Sequence, residues 1–209
     1  MSTLRIGSRG SQLALWQANH IAAALRALGH TVEIQIIKTT GDRLQDPAFR
    51  ATAAAQGIED GKGIFIKEIE EALAAGAIDL AVHSLKDLPT ELASMFTIAA
   101  IPPRVDPRDV LVATGNTKLE ELAANPRIGT TSPRRQTQLL ALRDDLQFIE
   151  MRGNVDTRLR KLGEGQAEAL VLAAAGLGRL GLTEHISQRF EVTEICPAPG
   201  QGALAIECR

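Results

Sequence analysis

Residues 127–142 read RIGTTSPRRQTQLLAL, and residues 5–18 read RIGSRGSQLALWQA. In both stretches a short apolar run ends in a glycine and a hydroxyl residue, and apolar residues then recur at three- and four-residue spacing. This order predicts a strand, a tight turn and a helix. Such a turn directs free backbone N–H groups and the positive end of the helix dipole to one place, which suits an anion. The alternative is an ordinary helix N-cap, and the repeat by itself leaves both interpretations open.

The same alternation continues along the chain and predicts an α/β fold. We expect strands at Leu4–Gly7, Thr31–Ile37, Leu80–His83, Val110–Ala113, Ile128–Thr130, Phe148–Met151, Ala169–Ala173 and Ala203–Glu207. We expect helices at Gln12–Leu28, Ile66–Ala75, Leu119–Ala123, Arg135–Leu142 and Val155–Leu162. The repeated strand–turn–helix unit predicts two similar domains with mainly parallel sheets.

Two proline-rich segments, 101–107 and 196–200, are stiff and suit crossings between domains. If the chain returns at the second crossing, its last strand joins the first domain. We therefore predict a discontinuous domain 1 over 1–102 and 196–209, a domain 2 over 103–195, and a two-crossing hinge between them.

The composition argues against several classes of function. Aromatic residues make up only 3% of the 209 residues and the formal net charge is −2, which argues against a nucleic-acid partner. No stretch approaches the roughly 20 apolar residues of a membrane span, so we expect a cytoplasmic protein. Cys196 and Cys208 lack the spacing of a zinc site or a disulfide framework, and we expect no metal. The sequence contains no dinucleotide-binding, P-loop, zinc-protease or serine-hydrolase motif.

Residues 42–62 differ from their surroundings, because they mix charges with Pro47, a run of small residues and several glycines. This composition predicts a mobile loop. A lid over a site and a solvated loop without function are both open interpretations.

Polar residues follow the third predicted strand, at the end where open α/β sheets place their ligand sites. Ser84, Lys86 and Asp87 lie there, and we expect them in a crevice rather than on a helix face. A buried Asp87 beside Lys86 would stay ionised, stabilise a developing cation or exchange a proton with a bound N–H. A plain salt bridge is the alternative. We interpret His83 as a satisfied core histidine rather than a catalytic residue.

Arginines concentrate at the predicted strand-to-helix turns. They are Arg9, Arg134, Arg135, Arg152 and Arg158. Hydroxyl, glycine and amide residues accompany them, namely Thr130, Ser132, Gly153 and Asn154. Arginine binds a carboxylate with two parallel hydrogen bonds, which lysine does not. From the residues alone, we predict a two-domain α/β protein that binds a polycarboxylate or phosphate ligand in an interdomain cleft.

These motifs resemble the hydroxymethylbilane synthase (porphobilinogen deaminase) family along the whole chain. The matching segments are 5–9, 11–18, 38–42, 61–65 with Lys67 and Glu68, 81–89, 129–136, 152–158 and 197–209. Each segment alone is unspecific, but their number and order make the resemblance specific. It implies a two-domain fold similar to periplasmic binding proteins, which agrees with the predicted hinge.

The resemblance implies a transferase of porphyrin and haem biosynthesis. In the family, a dipyrromethane cofactor primes the reaction, four porphobilinogen molecules are added with loss of ammonia, and hydrolysis releases linear hydroxymethylbilane. Every pyrrole carries acetate and propionate groups, so the growing polypyrrole is a polyanion that the arginines would bind. Asp87 would be the catalytic residue, which holds pyrrole N–H groups, assists ammonia loss and stabilises an azafulvene-like cation.

By the same resemblance, further residues bind the cofactor or the substrate. They are Arg9, Ser11, Lys62, Ser84, Lys86, Thr130, Ser132, Arg134, Arg135, Arg152, Gly153, Asn154, Arg158, Arg179 and Gln201. We expect a monomer whose partners are porphobilinogen and the growing polypyrrole, with no nucleic acid and no membrane.

The family pattern is not matched in two places. The family attaches its dipyrromethane through a cysteine in a third, C-terminal domain, and that attachment cysteine is not among these 209 residues. We therefore expect the chain to be inactive by itself and to be complemented by a C-terminal domain. The family also often has a lysine before Gly61, whereas residues 56–60 are acidic here.

Two hypotheses from other classes are open. One is a non-catalytic binder whose cleft closes on a small polycarboxylate. Asp87 distinguishes this binder from the enzyme, because a pure carboxylate binder does not need a buried anion facing its ligand. The other is an RNA- or phosphate-binding protein, against which the low aromatic content counts.

Overall fold

The computed structural model describes residues 3–44, 49 and 65–209. Lys62, the acidic segment 56–60 and most of the predicted loop lie outside these residues. The chain forms two compact units. One holds the residues up to Arg104 together with Ala203–Arg209, and the other holds Val105–Gly202.

Residues 196–202 lie in the second unit, although the sequence analysis placed them in domain 1. Hydrogen bonds explain the difference. The Cys196 N–H donates to Gln138 Oε1 at 2.7 Å, and Gln201 Nε2 donates to the Pro107 carbonyl at 2.6 Å. Residues 196–202 therefore belong to the second unit, and the chain returns to the first unit only at Ala203.

The first unit is built on one sheet. Its described strands are β1 (Leu4–Ser8), β2 (Val32–Ile36), β3 (Leu80–Ser84), β4 (Thr97–Ala100) and β10 (Leu204–Cys208). Its described helices are α1 (Gln12–Ala27), α2 (Thr40–Arg43) and α3 (Lys67–Ala74), and a 3₁₀ turn, Leu85–Asp87, follows β3. The strand order is β2-β1-β3-β10-β4; β1 pairs in parallel with β2 and β3, whereas β10 pairs antiparallel with β3 and β4.

The second unit repeats this plan. Its strands are β5 (Asp109–Ala113), β6 (Arg127–Gly129), β7 (Gln147–Ile149), β8 (Ala169–Ala173) and β9 (Gln188–Arg189). Its helices are α4 (Pro133–Leu142), α5 (Val155–Gly163) and α6 (Ala174–Leu180). The order is β7-β6-β8-β5-β9, with β6 parallel to β7 and β8, and β5 antiparallel to β8 and β9.

The first strand–turn–helix of each unit is alike in detail. β1 and β6 each pair in parallel on both sides and each leads into a helix capped by a serine. Ser11 accepts from the Ala14 N–H at 3.3 Å, and Ser132 accepts from the Arg135 N–H at 3.5 Å. A cap of this kind contributes about 1 kcal/mol. The sequence repeat therefore corresponds to a structural repeat.

The predicted α/β fold class is confirmed, and each sheet is mixed rather than mainly parallel. The sequence pattern does not predict β4, because Thr97–Ala100 is a largely exposed edge strand, and it does not predict α6, whose two glycines lower helix propensity. The predicted helix at 119–123 is only a 3₁₀ turn, Leu119–Glu121. None of the described helices is both long and apolar enough to cross a membrane.

Apolar clusters cover both faces of each sheet. In the first unit, Ala18 of α1 packs with Ile6 on one face, and Ile69 of α3 packs with Ala81 on the other. In the second unit, the alternating residues of β5 and β8 divide between two clusters in the same way. This burial explains why those strands are continuous apolar runs in the sequence.

His83 is buried in the first unit, and its Nε2 lies 2.9 Å from Oε2 of the fully buried Glu207. The contact joins β3 to β10. Glu70 of α3 faces this pair; burial and the charge of Glu207 raise the pKa of Glu70, although His83 opposes the shift. His83 therefore serves the sheet, as a core histidine does.

Gly202 adopts φ +88° where the second unit ends, and a Cβ atom there would lie 2.5 Å from the Val105 carbonyl oxygen. The Gly202 carbonyl accepts hydrogen bonds from the Val105 N–H at 3.2 Å and from Arg179 Nη2 at 2.8 Å. Because backbone blocks the Cβ, no change of rotamer relieves the contact.

We predict that Gly202→Ala destabilises the protein more than Gly165→Ala. Both glycines have positive φ, which costs an alanine about 1 kcal/mol, but a Cβ on Gly165 meets nothing within 4 Å. Urea unfolding followed by circular dichroism compares the two variants. Equal unfolding midpoints would contradict the role of the backbone contact.

Candidate anion-binding sites

Asp109, the first residue of β5, is the centre of a polar network in the second unit. Its side chain is fully buried. Arg135 donates to Oδ1 through Nε at 3.1 Å and Nη2 at 2.7 Å, and Gln201 Nε2 donates to the same oxygen at 3.0 Å. Arg134 Nη2 forms an ion pair with Oδ2 at 2.7 Å. Three predicted ligand-binding side chains thus meet at one carboxylate that the sequence analysis missed.

The ionisation of Asp109 follows from these contacts. Burial acts to raise its pKa, but the charge of Arg135 and the hydrogen bonds from Arg135, Gln201 and Arg134 outweigh burial and lower it. Asp109 is therefore an anion at neutral pH, and it compensates part of the positive charge of the two arginines.

The hydroxyl groups of the β6–α4 turn lie beside these arginines. Thr130 is buried, and its Oγ1 accepts from the Ser132 N–H at 3.2 Å. Ser132 in turn caps α4, and Pro133 occupies the first helical turn. Both hydroxyl oxygens accept from backbone N–H groups, which leaves each hydroxyl hydrogen available for donation.

Arg158 lies on α5 and donates from Nε to the Gly153 carbonyl at 2.8 Å. Burial, and then the positive charge of Arg135, lower its pKa. In the described part of the chain, no carboxylate lies within ion-pair distance of Arg158. A half-buried guanidinium that feels the charge of a second one and has no carboxylate partner is the arrangement that an anionic ligand would complete.

The segment before α5 contributes the other predicted residues. Gly153 has φ +118°, and Asn154 begins α5 without a side-chain cap bond. Arg152 forms an ion pair with Glu150. Arg179 is buried on α6, where its hydrogen bond to Gly202 supports the backbone turn, and burial lowers its pKa. These contacts give Arg152 and Arg179 structural partners within the unit.

A separate shallow cavity of about 340 Å³ in the second unit lies at the ends of β5 and α5. Asn116, Leu159 and His185 are among its lining residues. None of the predicted ligand-binding residues lines it, so it is not the predicted site.

In the first unit, β10 and α1 hold the end of β3. The Leu85 N–H donates to the Ala203 carbonyl at 3.1 Å, and Gln17 Nε2 donates to Ser84 Oγ at 3.0 Å. Asp87 is exposed, which corrects the expectation of a buried carboxylate. The physical reason is local: the 3₁₀ turn directs Leu88 into the core and leaves Asp87 on the outside.

Arg9 follows β1 and already has partners within the first unit. It donates to Asp42 Oδ1 through Nε at 3.0 Å and Nη2 at 2.5 Å, and its guanidinium carbon lies 3.9 Å from the centre of the Phe65 ring. Burial acts to raise the pKa of Asp42, but the bonds and charge of Arg9 and the bonds from Thr39 lower it overall. A ligand carboxylate must therefore compete with Asp42 for Arg9.

The structure groups the predicted residues by unit. Thr130, Ser132, Arg134, Arg135, Arg158 and Gln201 belong to the set around Asp109 and the β6–α4 turn. The end of β3 carries Ser84 and, next along the chain, Lys86 and Asp87. Asp109 had a sequence signal, since a carboxylate directly before an apolar strand is a costly residue to bury without cationic partners.

Residues 4–209 match the family described as "Porphobilinogen deaminase, dipyromethane cofactor binding domain". This chain belongs to the porphobilinogen deaminase family. The family is one of transferases in porphyrin biosynthesis, and the matched domain is the one that binds the dipyrromethane cofactor.

The sequence relatives are porphobilinogen deaminases. The chain is 49% identical over 211 residues to the one from Xanthomonas euvesicatoria pv. vesicatoria, 50% identical over 211 residues to that of Syntrophomonas wolfei, and 48% identical over 206 residues to that of Nocardia farcinica. The matches cover 99% or 100% of this chain but 67%, 67% and 57% of the relatives. The chain thus spans about two thirds or less of their length.

Solved structures show the fold. The methionine-binding protein MetQ matches with a TM-score of 0.59 at 12% identity, covering 99% of this chain and 83% of that one. A periplasmic substrate-binding protein from Coxiella burnetii matches with a TM-score of 0.57 at 14% identity, covering 99% and 84%. At this identity the likeness concerns architecture only, and it agrees with the predicted periplasmic-binding-protein-like fold.

We predict that Asp42→Asn weakens the acid sensitivity of the protein. The lowered pKa of Asp42 means that its ionised form stabilises the fold at neutral pH. That stability is present above the usual aspartate pKa of about 3.9 and is lost as pH falls toward the folded value. The variant should be less stable at pH 7 and lose less on going to pH 3, as measured by urea unfolding.

Glu91→Gln is the control for this experiment, because it removes one exposed negative charge from the same unit. It should leave the pH dependence close to that of the parent chain. An Asp42→Asn variant with the parent's full acid dependence would show that the Arg9–Asp42 contact does not stabilise the fold.

Proposed function

We propose that this chain binds dipyrromethane and the growing polypyrrole, and that it carries the residues that condense porphobilinogen into hydroxymethylbilane. The supporting observation is Arg158, which is half-buried and has no carboxylate partner among the described residues. Besides burial, the positive charge of Arg135 helps to lower the pKa of Arg158. Acetate and propionate groups on successive pyrroles match such guanidinium groups in charge and in bidentate geometry.

Dipyrromethane fits this arrangement, because it brings carboxylates to a group of guanidinium groups whose positive charge Asp109 compensates only in part. Arg134, Arg158 and the hydroxyl groups of Thr130 and Ser132 would hold those carboxylates. When bound, the cofactor supplies the pyrrole carbon to which the first substrate is joined. The chain's own residues orient the rings and neutralise their charge.

Asp87 has the catalytic role in this proposal. Its carboxylate lies at the carboxyl end of β3, on a short turn that the Leu85–Ala203 hydrogen bond fixes to the sheet. It would accept hydrogen bonds from pyrrole N–H groups and stabilise positive charge on porphobilinogen as ammonia leaves. Each condensation forms one carbon–carbon bond and releases one ammonia, and hydrolysis frees the tetrapyrrole. Exposure leaves Asp87 accessible to an incoming substrate.

We also propose the partners, the cellular location and the oligomeric state of the chain. The partners are porphobilinogen and the polypyrrole, and the chain acts as a cytoplasmic monomer with neither nucleic acid nor membrane bound. The low aromatic content and the net charge of −2 support the absence of nucleic acid.

We predict that Arg158→Met weakens porphobilinogen binding by roughly ten- to one-hundredfold, which corresponds to about 1.5–3 kcal/mol for one charge-assisted contact. Isothermal titration calorimetry measures the dissociation constant. Arg160→Met is the matched control, because Arg160 is exposed on the same helix and pairs with Glu164. Equal affinities for the two variants would remove Arg158 from the site.

The proposed activity is tested by incubating the chain with porphobilinogen, with and without a separately expressed C-terminal domain of a relative. The cyclised, light-absorbing porphyrin reports the product. Porphyrin formation that Asp87→Asn abolishes is the expected result. No porphyrin in either mixture, together with tight binding of a simple tricarboxylate, would instead indicate a non-catalytic binder.

A further inference from the structure

Asp109 contacts two adjacent arginines, of which Arg135 is bound inside the unit and Arg134 reaches the surface. Arg135 uses Nε and Nη2 on Oδ1 of Asp109 and Nη1 on the Val171 carbonyl at 3.0 Å. Three of its five N–H donors are therefore used inside the unit, and only 8% of the residue is exposed. Arg134 forms an ion pair with Oδ2 of the same carboxylate, and a quarter of its side chain reaches the surface.

We propose that Asp109 is a positioning residue that fixes Arg134 and Arg135 in the orientation in which they receive the ligand's carboxylates. Asp109 touches neither substrate nor cofactor in this role and acts through the two guanidinium groups. The functional part of this inference rests on the proposed function. The structural part, a carboxylate that immobilises both arginines, stands on the contacts alone.

Charge explains why such a residue is needed. Arg134, Arg135 and Arg158 bring three positive charges into one part of the second unit, and like charges at short distance repel strongly where water is scarce. One buried carboxylate reduces the repulsion without cancelling the site's attraction for anions. Its two oxygens also divide the arginines, with Oδ1 for Arg135 and Oδ2 for Arg134.

Gln201, near the end of the second unit, also binds Asp109. Its Nε2 donates to Asp109 Oδ1 at 3.0 Å and to the Pro107 carbonyl at 2.6 Å. The Asp109 carboxylate therefore orients a third predicted ligand-binding residue. Through Gln201 it also joins the segment 196–202 to the start of β5. No other carboxylate in the described residues contacts two of the predicted arginines.

Asp109→Asn tests the proposal with little change of shape. The amide keeps an oxygen for Arg135 and Gln201 but places an N–H₂ group where Arg134 now finds Oδ2. We expect porphobilinogen affinity to fall at least tenfold, measured by calorimetry. Asp106→Asn is the matched control, because Asp106 pairs with Arg108 and Arg189 in the same unit, and its affinity should stay within twofold.

A double-mutant cycle separates positioning from general damage. In an Arg134→Met background, Asp109→Asn should reduce the affinity clearly less than in the parent chain, because the Arg134–Asp109 contact is already absent. Fully additive losses, unchanged affinity or tighter binding by Asp109→Asn would each overturn the proposal. Tighter binding would mean that Asp109 competes with the ligand.

The unmodified chain provides a test that needs neither folding of the variant nor ligand binding. Nuclear magnetic resonance resolves the two Nη groups of an arginine when its guanidinium rotates slowly. We expect resolved signals for Arg134 and Arg135 and averaged signals for the exposed Arg160. Averaged signals for the first two would overturn the positioning role. If those signals are resolved but porphobilinogen does not bind, the proposed function fails and the structural inference stands.

Discussion

Charge compensation is the constraint on which the second unit depends. A fully buried carboxylate is costly unless cations surround it, and a group of guanidinium groups is costly unless an anion lies among them. Asp109, Arg134 and Arg135 satisfy both conditions at once, at the start of β5 and the start of α4. The first unit uses the same pairing on a smaller scale, between Arg9 and Asp42. Arg158 is different, since it keeps a charge that no described carboxylate balances.

Much of the fold could be predicted because local rules and tertiary structure agree. The glycine–hydroxyl turns after β1 and β6 are encoded by short motifs, and the serine caps of α1 and α4 follow from them. The prolines of 101–107 lie at the first crossing, whereas those of 196–200 precede the second one, because hydrogen bonds of Cys196 and Gln201 hold that segment in the second unit. β4 could not be predicted in this way. Its residues are mostly exposed, and it forms because β10 offers an open edge.

The candidate site was predicted by residue type but not by environment. The arginines are visible in the sequence, whereas their partners depend on which strand ends come together. Asp109 lies 25 residues before Arg134 in the chain and contacts it only because β5 returns beside β8. Asp87 was expected to be buried, and its exposure is set by the direction of one 3₁₀ turn. Such directions follow from packing, which a motif does not specify.

The most direct test of the account is a spectrum of the arginine Nε–Hε groups of this chain during titration with porphobilinogen. We predict that the signals of Arg134 and Arg158 shift with ligand concentration. The signals of Arg127 and Arg143, which pair with Glu168 and Asp145, should stay in place. Shifts confined to arginines other than Arg134, Arg135 and Arg158, or no shift at saturating ligand, would contradict the claim that these guanidinium groups bind the pyrrole carboxylates.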